Sequence, residues 1–439
     1  MNIVNDVGRC FLLECYHIEG GIPLRGEYRV KGAKNSALPI LAATVCKGGV
    51  YEIYDCPRIG DVFAMIEILE SLGVETKWEE ECIVVDSRHV REFAVPKHLM
   101  GQMRSSVFLM GSLLARCREA VIHNPGGCNI GKRPVDIHIA GLEQLGFEVE
   151  ASESRMACRG TCHGGKITLS YPSVGATENL MMAALAGNGD TIIQNCAIEP
   201  EIADLQGFLR TQGFQVFGAG TDTIFVKGAG KSQSNNCASR MYFLLEDRIE
   251  AITYMCAVLG TGGKAVFRNI RPGIIKDVLK TFERMGAIIR THENMIEIWP
   301  SKMLKSPGII VTQPYPGFPT DCQPQLMTLC AKAKGLTTIR EEIFESRFTH
   351  KNDLINMGAD IETCGKNAII KGTDFLHGKE VTALDLRGGA ALIVAGLMAE
   401  GKTVVKDAFH IQRGYEDIEK GFKSLGGLIE KKREETQEN

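Results

Sequence analysis

One short pattern recurs six times along the 439 residues and constrains the fold more than any other feature. Each copy is an apolar segment, then a glycine, then a strand-like run. Successive glycines are 67 to 73 residues apart. The six glycines are Gly73, Gly146, Gly213, Gly286, Gly358 and Gly426. Such regular spacing predicts six copies of one supersecondary unit, because internal repeats reuse a single packing unit.

Each unit has the same internal order. A helix rich in small apolar residues comes first, for example 37–45 or 390–398, and a short strand such as Lys264–Arg268 follows. An amphipathic helix then ends at the marker glycine, which suits a helix terminus because it adopts positive φ without a Cβ clash. Since a helix that is apolar all round belongs in a buried position, we expect the first helices inside and the sheets outside.

Six units predict an α/β protein of two similar domains with three repeats each. We expect one domain over residues 34–240 and the other over 1–33 together with 241–439. A Ser/Asn/Gly-rich stretch at 228–238 is typical of a crossover between them. Buried helices of this kind are ordinary core packing, so the functional residues should lie in the loops.

Composition and charge exclude several classes of protein. Hydrophobic residues make up 44% and charged residues 23%, as in folded globular proteins. A net charge of −3 gives no electrostatic reason to expect nucleic acid or a membrane surface as partner. The N-terminus lacks the features of a signal peptide, and no stretch reaches the roughly 18 apolar residues of a membrane span. We expect a cytoplasmic monomer with small-molecule ligands.

The fifteen cysteines do not predict disulfides. Their number is odd, the chain is long, and most lie within apolar runs, so free thiols in a reducing compartment fit better. Cys158 and Cys162, next to His163, come nearest to a metal-binding pattern. No second pair stands at ligand spacing nearby, so we expect no metal.

The segment 124–138 carries a thiol followed by two cations. Three glycines and two prolines in fifteen residues indicate a loop with special backbone requirements. Lys132 and Arg133 favour the thiolate of Cys128, which distinguishes it from the other cysteines. The loop is therefore either a reactive element or a mobile surface loop with an incidental cysteine.

Two further segments place polar residues before buried helices. Lys34 and Asn35 stand where a helix N-terminus with a lysine would attract phosphate, or they are a solvated lysine with an asparagine cap. Asp321 follows a Pro-Gly turn at the start of the fifth unit's helix. Spacing alone does not choose between a general base and a carboxylate favoured by the helix dipole.

Three arginines stand where units begin or turn: Arg104, Arg387 and Arg413. The planar guanidinium matches carboxylate and phosphate groups. Each arginine taken singly is better explained by a surface ion pair. Together with Lys34 and Arg133 they predict a phosphorylated carboxylate as ligand.

The motifs of the chain resemble those of the UDP-N-acetylglucosamine 1-carboxyvinyltransferase family. The resemblance runs from about Ile22 to about Leu428, in the family's order. The matching motifs are GAKNSALPILAA, PGGCNIGKRPVDIH, SVGATEN, EPEIADL, EDRIEA, YPGFPTDCQ, FESRF, DLRGGAALIVAGL and HIQRGYEDI. The resemblance implies a two-domain inside-out α/β barrel, or α/β prism, which agrees with six repeats of about 70 residues.

The resemblance also implies an activity that uses no cofactor. The family transfers the enolpyruvyl group of phosphoenolpyruvate to the 3-hydroxyl of UDP-N-acetylglucosamine and releases phosphate, at the first committed step of peptidoglycan precursor synthesis. Three alternatives remain: a paralogue acting on another uridine nucleotide, a catalytically silent UDP-sugar-binding regulator, and the sister shikimate-pathway synthase. The last lacks the PGGC loop and the SVGAT segment.

The resemblance assigns roles residue by residue. Cys128 is the mobile-loop cysteine, Asp321 the base facing the sugar hydroxyl, and Lys34 and Arg413 complete the catalytic set. The implied substrate-binding residues are Asn35, Arg104, Arg133, Pro134, Val135, Asp136, His138, Ser173, Val174, Gly175, Ile343, Phe344 and Arg387. Arg347 and Arg387 are expected to act behind the residues that touch substrate. Tyr171 and Asn129 depart from the family pattern and bear on nucleotide affinity.

Overall fold

A computed structural model describes residues 11–101, 103–123, 135–152, 154–228 and 239–436. Several of the sequence predictions concern residues outside these ranges. They are the predictions for Cys128, Asn129, Lys132, Arg133 and Pro134, and most of the crossover expected at 228–238.

The described strands are short, as expected for sheets built from repeated units. They are β1 (Phe11–Glu19), β2 (Arg25–Arg29), β3 (Val50–Tyr54), β4 (Glu75–Trp78), β5 (Cys82–Asp86), β6 (Glu119–His123), β7 (Glu148–Ala151), β8 (Arg155–Arg159), β9 (Gly165–Thr168), β10 (Thr191–Gln194), β11 (Val216–Phe217), β12 (Thr223–Val226), β13 (Ser239–Phe243), β14 (Lys264–Arg268), β15 (Ala287–His292), β16 (Met295–Pro300), β17 (Ile309–Val311), β18 (Leu336–Arg340), β19 (Asp360–Cys364), β20 (Asn367–Lys371), β21 (Glu380–Thr382), β22 (Lys402–Lys406) and β23 (Leu428–Thr436).

The helices alternate with these strands along the chain. They are α1 (Lys34–Ala43), α2 (Gly60–Ser71), α3 (Lys97–Met100), α4 (Phe108–Cys117), α5 (Asp136–Gln144), α6 (Val174–Ala184), α7 (Pro200–Thr211), α8 (Arg248–Gly260), α9 (Lys276–Arg284), α10 (Gln323–Cys330), α11 (Lys351–Asn356), α12 (Leu386–Met398), α13 (Ala408–Gln412) and α14 (Ile418–Ser424). Short 3₁₀ turns occupy Arg104–Val107, Pro272–Ile275 and Thr320–Cys322.

The chain divides into two compact units. Unit 1 contains Met1–Arg29, Ile249–Thr312 and Thr320–Asn439, and unit 2 contains Val30–Arg248 and Gln313–Pro319. The boundaries expected from the repeats, after residues 33 and 240, differ from these by a few residues and by the segment 313–319.

Each unit has three sheets in the part of the chain that is described. In unit 1 the strand orders are β21-β22-β1-β23, β15-β16-β14-β2 and β17-β18-β20-β19. In unit 2 they are β11-β12-β10-β9, β13-β3-β5-β4 and the three-stranded β6-β8-β7. A single parallel bridge from Ala94 to Val121 stands at the edge of this smallest sheet, where the other five sheets have a parallel strand.

The six marker glycines confirm the repeat. Each follows an amphipathic helix, and their φ angles lie between 80° and 102°. These left-handed conformations are the ones that the helix ends require and that glycine adopts without strain. The prediction of six copies of one unit is therefore correct at each of its marker positions.

The helices expected inside are buried. In unit 2 they are α1, α4 and α6, and in unit 1 they are α8, α10 and α12. Every residue of α12 is buried, although Arg387 brings a charge into it. Within unit 2, α4 packs against α6 and α1, and within unit 1, α10 packs against α12. The core of each unit thus consists of helices enclosed by sheets, as the sequence predicts.

Candidate active-site residues in the two units

Lys34 begins α1 in unit 2 and is held by two acids. Its Nζ lies 2.9 Å from Oδ2 of Asp61 in the first turn of α2, and its backbone N–H donates to Asp247 at 3.2 Å. The Lys34 side chain is only 13% exposed. The N-cap is Ala33, which has no side-chain acceptor, so the alternative of a solvated lysine with an asparagine cap is wrong.

A buried asparagine connects three elements of unit 2. Asn179 Oδ1 in α6 accepts the N–H of Gly111 in α4 at 2.6 Å. The Asn179 amide nitrogen, 2.9 Å from Nδ1 of His138 in α5, must then be the donor. Nδ1 of His138 is therefore unprotonated, and the imidazole carries its proton on Nε2.

His138 is neutral because of its surroundings. Burial lowers the pKa of His138 to about 4, and the positive charge of Arg104 acts in the same direction. A Cβ placed on Gly175 would lie 3.7 Å from Nε2 of His138, so the protonated nitrogen stands beside the start of α6. The structure thus places Arg104, His138 and Gly175 near one another.

The first turn of α6 has backbone N–H groups without a partner inside the helix, which suits an anion. Ser173 is the N-cap, and its side chain accepts the N–H of Ala176 at 3.4 Å. The N–H groups of Val174 and Gly175 precede it in the first turn, where helices bind phosphate. Both residues are half-buried, so the turn is accessible. Val135 and Asp136 lie at the start of α5, and Asp136 is exposed.

A buried carboxylate in unit 2 was missed from the sequence. Glu178 in α6 is fully buried, and neither of its oxygens has a hydrogen-bond partner among the described residues. Burial raises the pKa of Glu178 well above its usual value, and the nearby Glu201 and Glu199 add to the effect. The neighbouring Glu201, in contrast, has a partner, because it is ion-paired with Arg248 at 2.9 Å. No local signal identified Glu178, since its acidic neighbours are more than 20 positions away.

Asp321 in unit 1 is held by two buried arginines. It lies in the 3₁₀ turn before α10. Its Oδ1 accepts from Nη2 of Arg347 at 2.6 Å, and its Oδ2 accepts from Nη2 of Arg387 at 3.4 Å. Arg347 also donates from Nε to the carbonyl of Thr320 at 3.1 Å. The Asp321 side chain remains 28% exposed, so an oriented carboxylate is still accessible.

A buried polar network supports these arginines. Nη1 of Arg387 donates to the hydroxyl of Tyr415 at 3.4 Å, which lies 2.7 Å from Oγ1 of Thr253. Gln325 in α10 donates to both hydroxyls, at 3.1 and 3.4 Å. Arg387 is therefore fixed inside its own unit, and the alternative of a surface ion pair is wrong for it. Arg413 is the C-cap of α13, two residues before Tyr415.

Glu341 organises the loop that contains Ile343 and Phe344. Its carboxylate accepts the N–H groups of these residues at 2.9 and 3.1 Å, and the hydroxyl of Thr320 at 3.0 Å. Because Thr320 precedes Asp321, one buried acid positions both the loop and the turn. The expected lining residues Ile343 and Phe344 therefore lie close to the base candidate.

Asp385 caps α12 in the same region. It accepts the N–H groups of Arg387 and Gly388 at 3.0 and 2.9 Å, and the hydroxyl of Thr349 at 2.5 Å. Burial alone would raise the pKa of Asp385, but these hydrogen bonds and nearby positive charge lower it below its usual value. Burial lowers the pKa of the adjacent His350 to about 4, so that ring is neutral.

Each cysteine in the described part of the chain is a free thiol, as the sequence predicts. Among those same residues, Cys158, Cys162 and His163 do not form a metal-binding group. The group that could hold a metal is instead Cys15, His17 and Glu434. None of the described helices combines the length and apolar character that a membrane span requires.

The structure thus separates the expected residues into two groups. Unit 2 contains Lys34, Asn35, Arg104, Val135, Asp136, His138, Ser173, Val174 and Gly175. Unit 1 contains Asp321, Ile343, Phe344, Arg387 and Arg413. The first group offers cations and helix N–H donors for an anion, and the second offers an oriented carboxylate.

Comparisons with known proteins agree with one another. The family model described as EPSP synthase (3-phosphoshikimate 1-carboxyvinyltransferase) matches residues 18–422. The chain is 47% identical to UDP-N-acetylglucosamine 1-carboxyvinyltransferase 2 of Caldanaerobacter subterraneus, over 94% of this chain and 98% of that protein. It is 40% identical to the UDP-N-acetylglucosamine 1-carboxyvinyltransferase of Thermotoga maritima, over 94% and 97% of the two chains.

Solved structures show the same fold. The enolpyruvyl transferase NikO from Streptomyces tendae superposes with a TM-score of 0.84 at 23% identity, over 97% of this chain and 100% of that one. EPSP synthase from Acinetobacter baumannii superposes with a TM-score of 0.72 at 19% identity, over 95% and 100% of the chains. The fold predicted from the repeats, an inside-out α/β architecture, is thereby confirmed.

Proposed function

We propose that this chain, which belongs to the UDP-N-acetylglucosamine 1-carboxyvinyltransferases of the EPSP synthase family, transfers the enolpyruvyl group of phosphoenolpyruvate to the 3-hydroxyl of UDP-N-acetylglucosamine. Phosphate is the second product. The reaction is the first committed step of peptidoglycan precursor synthesis in the cytoplasm, so it serves cell wall biogenesis, cell shape and cell division. The enzyme works as a monomer and needs no cofactor.

The observation that carries this proposal is the geometry of Asp321. A transferase of this kind needs a base aimed at the sugar hydroxyl, and a base works only when its lone pairs are correctly directed. Asp321 receives one guanidinium on each oxygen and is still 28% exposed. Arg347 and Arg387 are positioning residues in this scheme, because they act on substrate through Asp321.

Four cations are proposed to bind phosphoenolpyruvate. Lys34, Arg104, Arg133 and Arg413 hold its phosphate and carboxylate, and positive groups at these positions stabilise the charge that develops in the transition state. Asp61 fixes the Lys34 ammonium in one place. This preorganisation means that the cation need not be reoriented during the reaction.

The start of α6 binds the diphosphate of the nucleotide. The N–H groups of Val174 and Gly175 and the helix dipole favour an anion there, with Ser173 as the cap. Nε2–H of His138 stands beside Gly175 as a further donor. Pro134, Val135 and Asp136 complete the nucleotide site, while Asn35, Ile343 and Phe344 contact the sugar.

The chemistry is addition followed by elimination. Asp321 accepts the proton of the sugar 3-hydroxyl while the hydroxyl oxygen forms a bond to C2 of phosphoenolpyruvate. Cys128, which must carry its thiol proton when both substrates are bound although Lys132 and Arg133 favour the thiolate in the free loop, donates that proton to C3. The product is a tetrahedral ketal that still bears phosphate. The Cys128 thiolate then takes a proton back from C3 as the C2–O bond to phosphate breaks, which restores the double bond as an enol ether. The proton held by Asp321 passes to the departing phosphate or to solvent. The addition and the elimination change no oxidation state, so no oxidant is needed.

A phosphate-release assay tests the proposal. Purified protein is given phosphoenolpyruvate with UDP-N-acetylglucosamine, and in parallel with shikimate 3-phosphate or with UMP. We expect release only with the UDP-sugar. Release with shikimate 3-phosphate would assign the chain to the sister activity, release with UMP alone would indicate a paralogue with another acceptor, and no release at all would leave a UDP-sugar-binding regulator.

A further inference from the structure

The two ends of the described chain pair with each other in unit 1. Strand β1 runs antiparallel to β23 along the whole length of both, from Phe11 opposite Thr436 to Glu19 opposite Leu428. The family model matches residues 18–422, so most of β1 and all of β23 lie outside it. None of the residues proposed above for the transferase reaction lies on this strand pair.

Three potential metal ligands converge on this strand pair. Cys15 and His17 are two positions apart on β1, so their side chains leave the same face of the sheet. Glu434 reaches them from β23. The ligand atoms of these three side chains all lie within 4.8 Å of one another, and Nε2 of His17 is 2.8 Å from Oε1 of Glu434.

The cluster is closed on one side and open on the other. Cys15 is 1% exposed, whereas the side chains of His17 and Glu434 are 31% and 43% exposed. The imidazole and the carboxylate are therefore partly open to solvent, so water could supply a fourth ligand.

The charges around the cluster permit a cation. Lys406 and Lys432 are the nearby positive groups. Each has a carboxylate of its own, since Lys406 pairs with Glu380 at 2.5 Å and Lys432 with Glu430 at 3.1 Å. Glu434 is therefore left to balance the charge of whatever occupies the space between Cys15 and His17.

We propose that Cys15, His17 and Glu434 bind one zinc ion that joins the N-terminal and C-terminal strands. Sulfur, nitrogen and carboxylate oxygen together are a ligand set that zinc accepts in tetrahedral geometry, whereas magnesium and calcium prefer oxygen alone. Zinc binds the thiolate of Cys15, and the thiol proton passes to solvent. His17 binds through Nε2 as the neutral imidazole.

A zinc ion here would act on stability and not on the transfer reaction. β23 is an edge strand in the order β21-β22-β1-β23, held laterally by β1 alone among the described strands. A ligand from each of the two strands would oppose their separation, because a metal that binds only the folded arrangement stabilises it. Removal of the metal should therefore loosen the chain ends and leave the transferase site intact.

The test is metal binding by the full chain after removal of metal with a chelator. Cobalt(II) serves as the spectroscopic probe, because a thiolate ligand gives a charge-transfer absorption and tetrahedral geometry gives intense visible bands. Zinc titration by calorimetry then gives stoichiometry and affinity. The variants are C15S, H17Q and E434Q, with C364S and H292Q as matched controls on exposed residues of the same unit.

We expect one zinc equivalent that raises the melting temperature of the wild type. Each ligand variant should weaken binding at least about tenfold, since even indirect partners of a metal ligand contribute that much. C364S and H292Q should bind as the wild type does. E434Q changes one partly exposed atom, so its folding is not in question, and circular dichroism checks C15S and H17Q.

Three results would overturn the proposal. They are the absence of a stoichiometric site in the wild type, binding that C15S, H17Q and E434Q leave unchanged, and binding that depends on Cys15 but not on His17 or Glu434. Phosphate release measured on the same samples separates this inference from the proposed function. The transferase activity should be the same with and without zinc.

Discussion

The two units use the same architecture to hold groups of opposite charge. In unit 2 the candidate group is the cation Lys34, held by the buried acid Asp61. In unit 1 it is the acid Asp321, held by the buried cations Arg347 and Arg387. Each unit has three buried helices and three sheets among the residues that the structure describes. The loop residues at the helix starts decide which charge is presented. Repetition thus supplies the scaffold, and function comes from sites built on it.

The units also differ in how completely they satisfy buried polar groups. Arg387 in unit 1 belongs to a connected network through Tyr415, Thr253 and Gln325. Glu178 in unit 2 has no hydrogen-bond partner for either oxygen among the described residues. A connected network fixes one arrangement, whereas an unpartnered acid makes stability depend on pH.

The largest expected effect tests the acid of unit 1. D321N keeps the shape of the side chain but removes its capacity to accept the hydroxyl proton. We expect kcat to fall about 10²- to 10⁴-fold, the usual contribution of a general base. Asp360 is exposed on β19 of the same unit, so D360N is the control and should match the wild type. A kcat for D321N within about threefold of the wild type would remove Asp321 from the mechanism.

The second prediction tests the ion pair of unit 2. D61N leaves the Lys34 ammonium buried beside a neutral amide, and breaking a buried pair from one side costs about 3 kcal/mol. The urea midpoint should fall accordingly. K34M combined with D61N should recover part of the loss, because no unpaired charge then remains. An unchanged midpoint in D61N would mean that the pair does not hold Lys34.

The third prediction concerns Glu178 and pH. The folded chain keeps the Glu178 proton above the usual value of 4.5, where the unfolded chain loses it. Stability from this group is therefore present at low pH and is lost as pH rises, by up to about 1.4 kcal/mol per unit. The free energy of unfolding of E178Q, measured in urea, should exceed that of the wild type by a growing margin as pH increases above 4.5. The control E143Q, which changes an exposed glutamate, should show the same pH dependence of stability as the wild type. If E178Q also showed the wild-type pH dependence, the raised pKa of Glu178 would be contradicted.

The smallest effect tests the support of Arg387. Y415F removes one hydroxyl from the network, which should cost about 1 kcal/mol of stability. A positioning role also predicts that kcat falls several-fold with little change in KM, because Asp321 is then less firmly directed. Y54F, which removes a hydroxyl bonded to Glu52, is the control. Loss of stability with an unchanged kcat would leave Tyr415 a structural residue.

The fold was predictable because it depends on periodic features. The six glycines mark helix ends at which only positive φ suits the chain, and these positions are visible in the sequence. β14 has the bounds expected for it, Lys264–Arg268. Helices whose residues are apolar on every face likewise indicated which helices are buried.

The partners of the site residues could not be predicted in the same way. Asp61 resembles an ordinary first-turn carboxylate, and its contact with Lys34 arises because two helices converge in space. Arg387 and Tyr415 are 28 residues apart, and Thr253 joins them from 162 positions before Tyr415. Such contacts depend on tertiary packing, which cannot be inferred from the spacing of residues along the sequence.

The most direct test of the central claim is the rate of product formation in variants that each change one unit. Phosphoenolpyruvate and UDP-N-acetylglucosamine are supplied together, and the enol ether is followed by mass spectrometry in the wild type, in K34Q and in D321N. If Lys34 and Asp321 both act in this reaction, the wild type forms the enol ether and each variant forms it at least about 100-fold more slowly. Wild-type rates in either folded variant would contradict the claim.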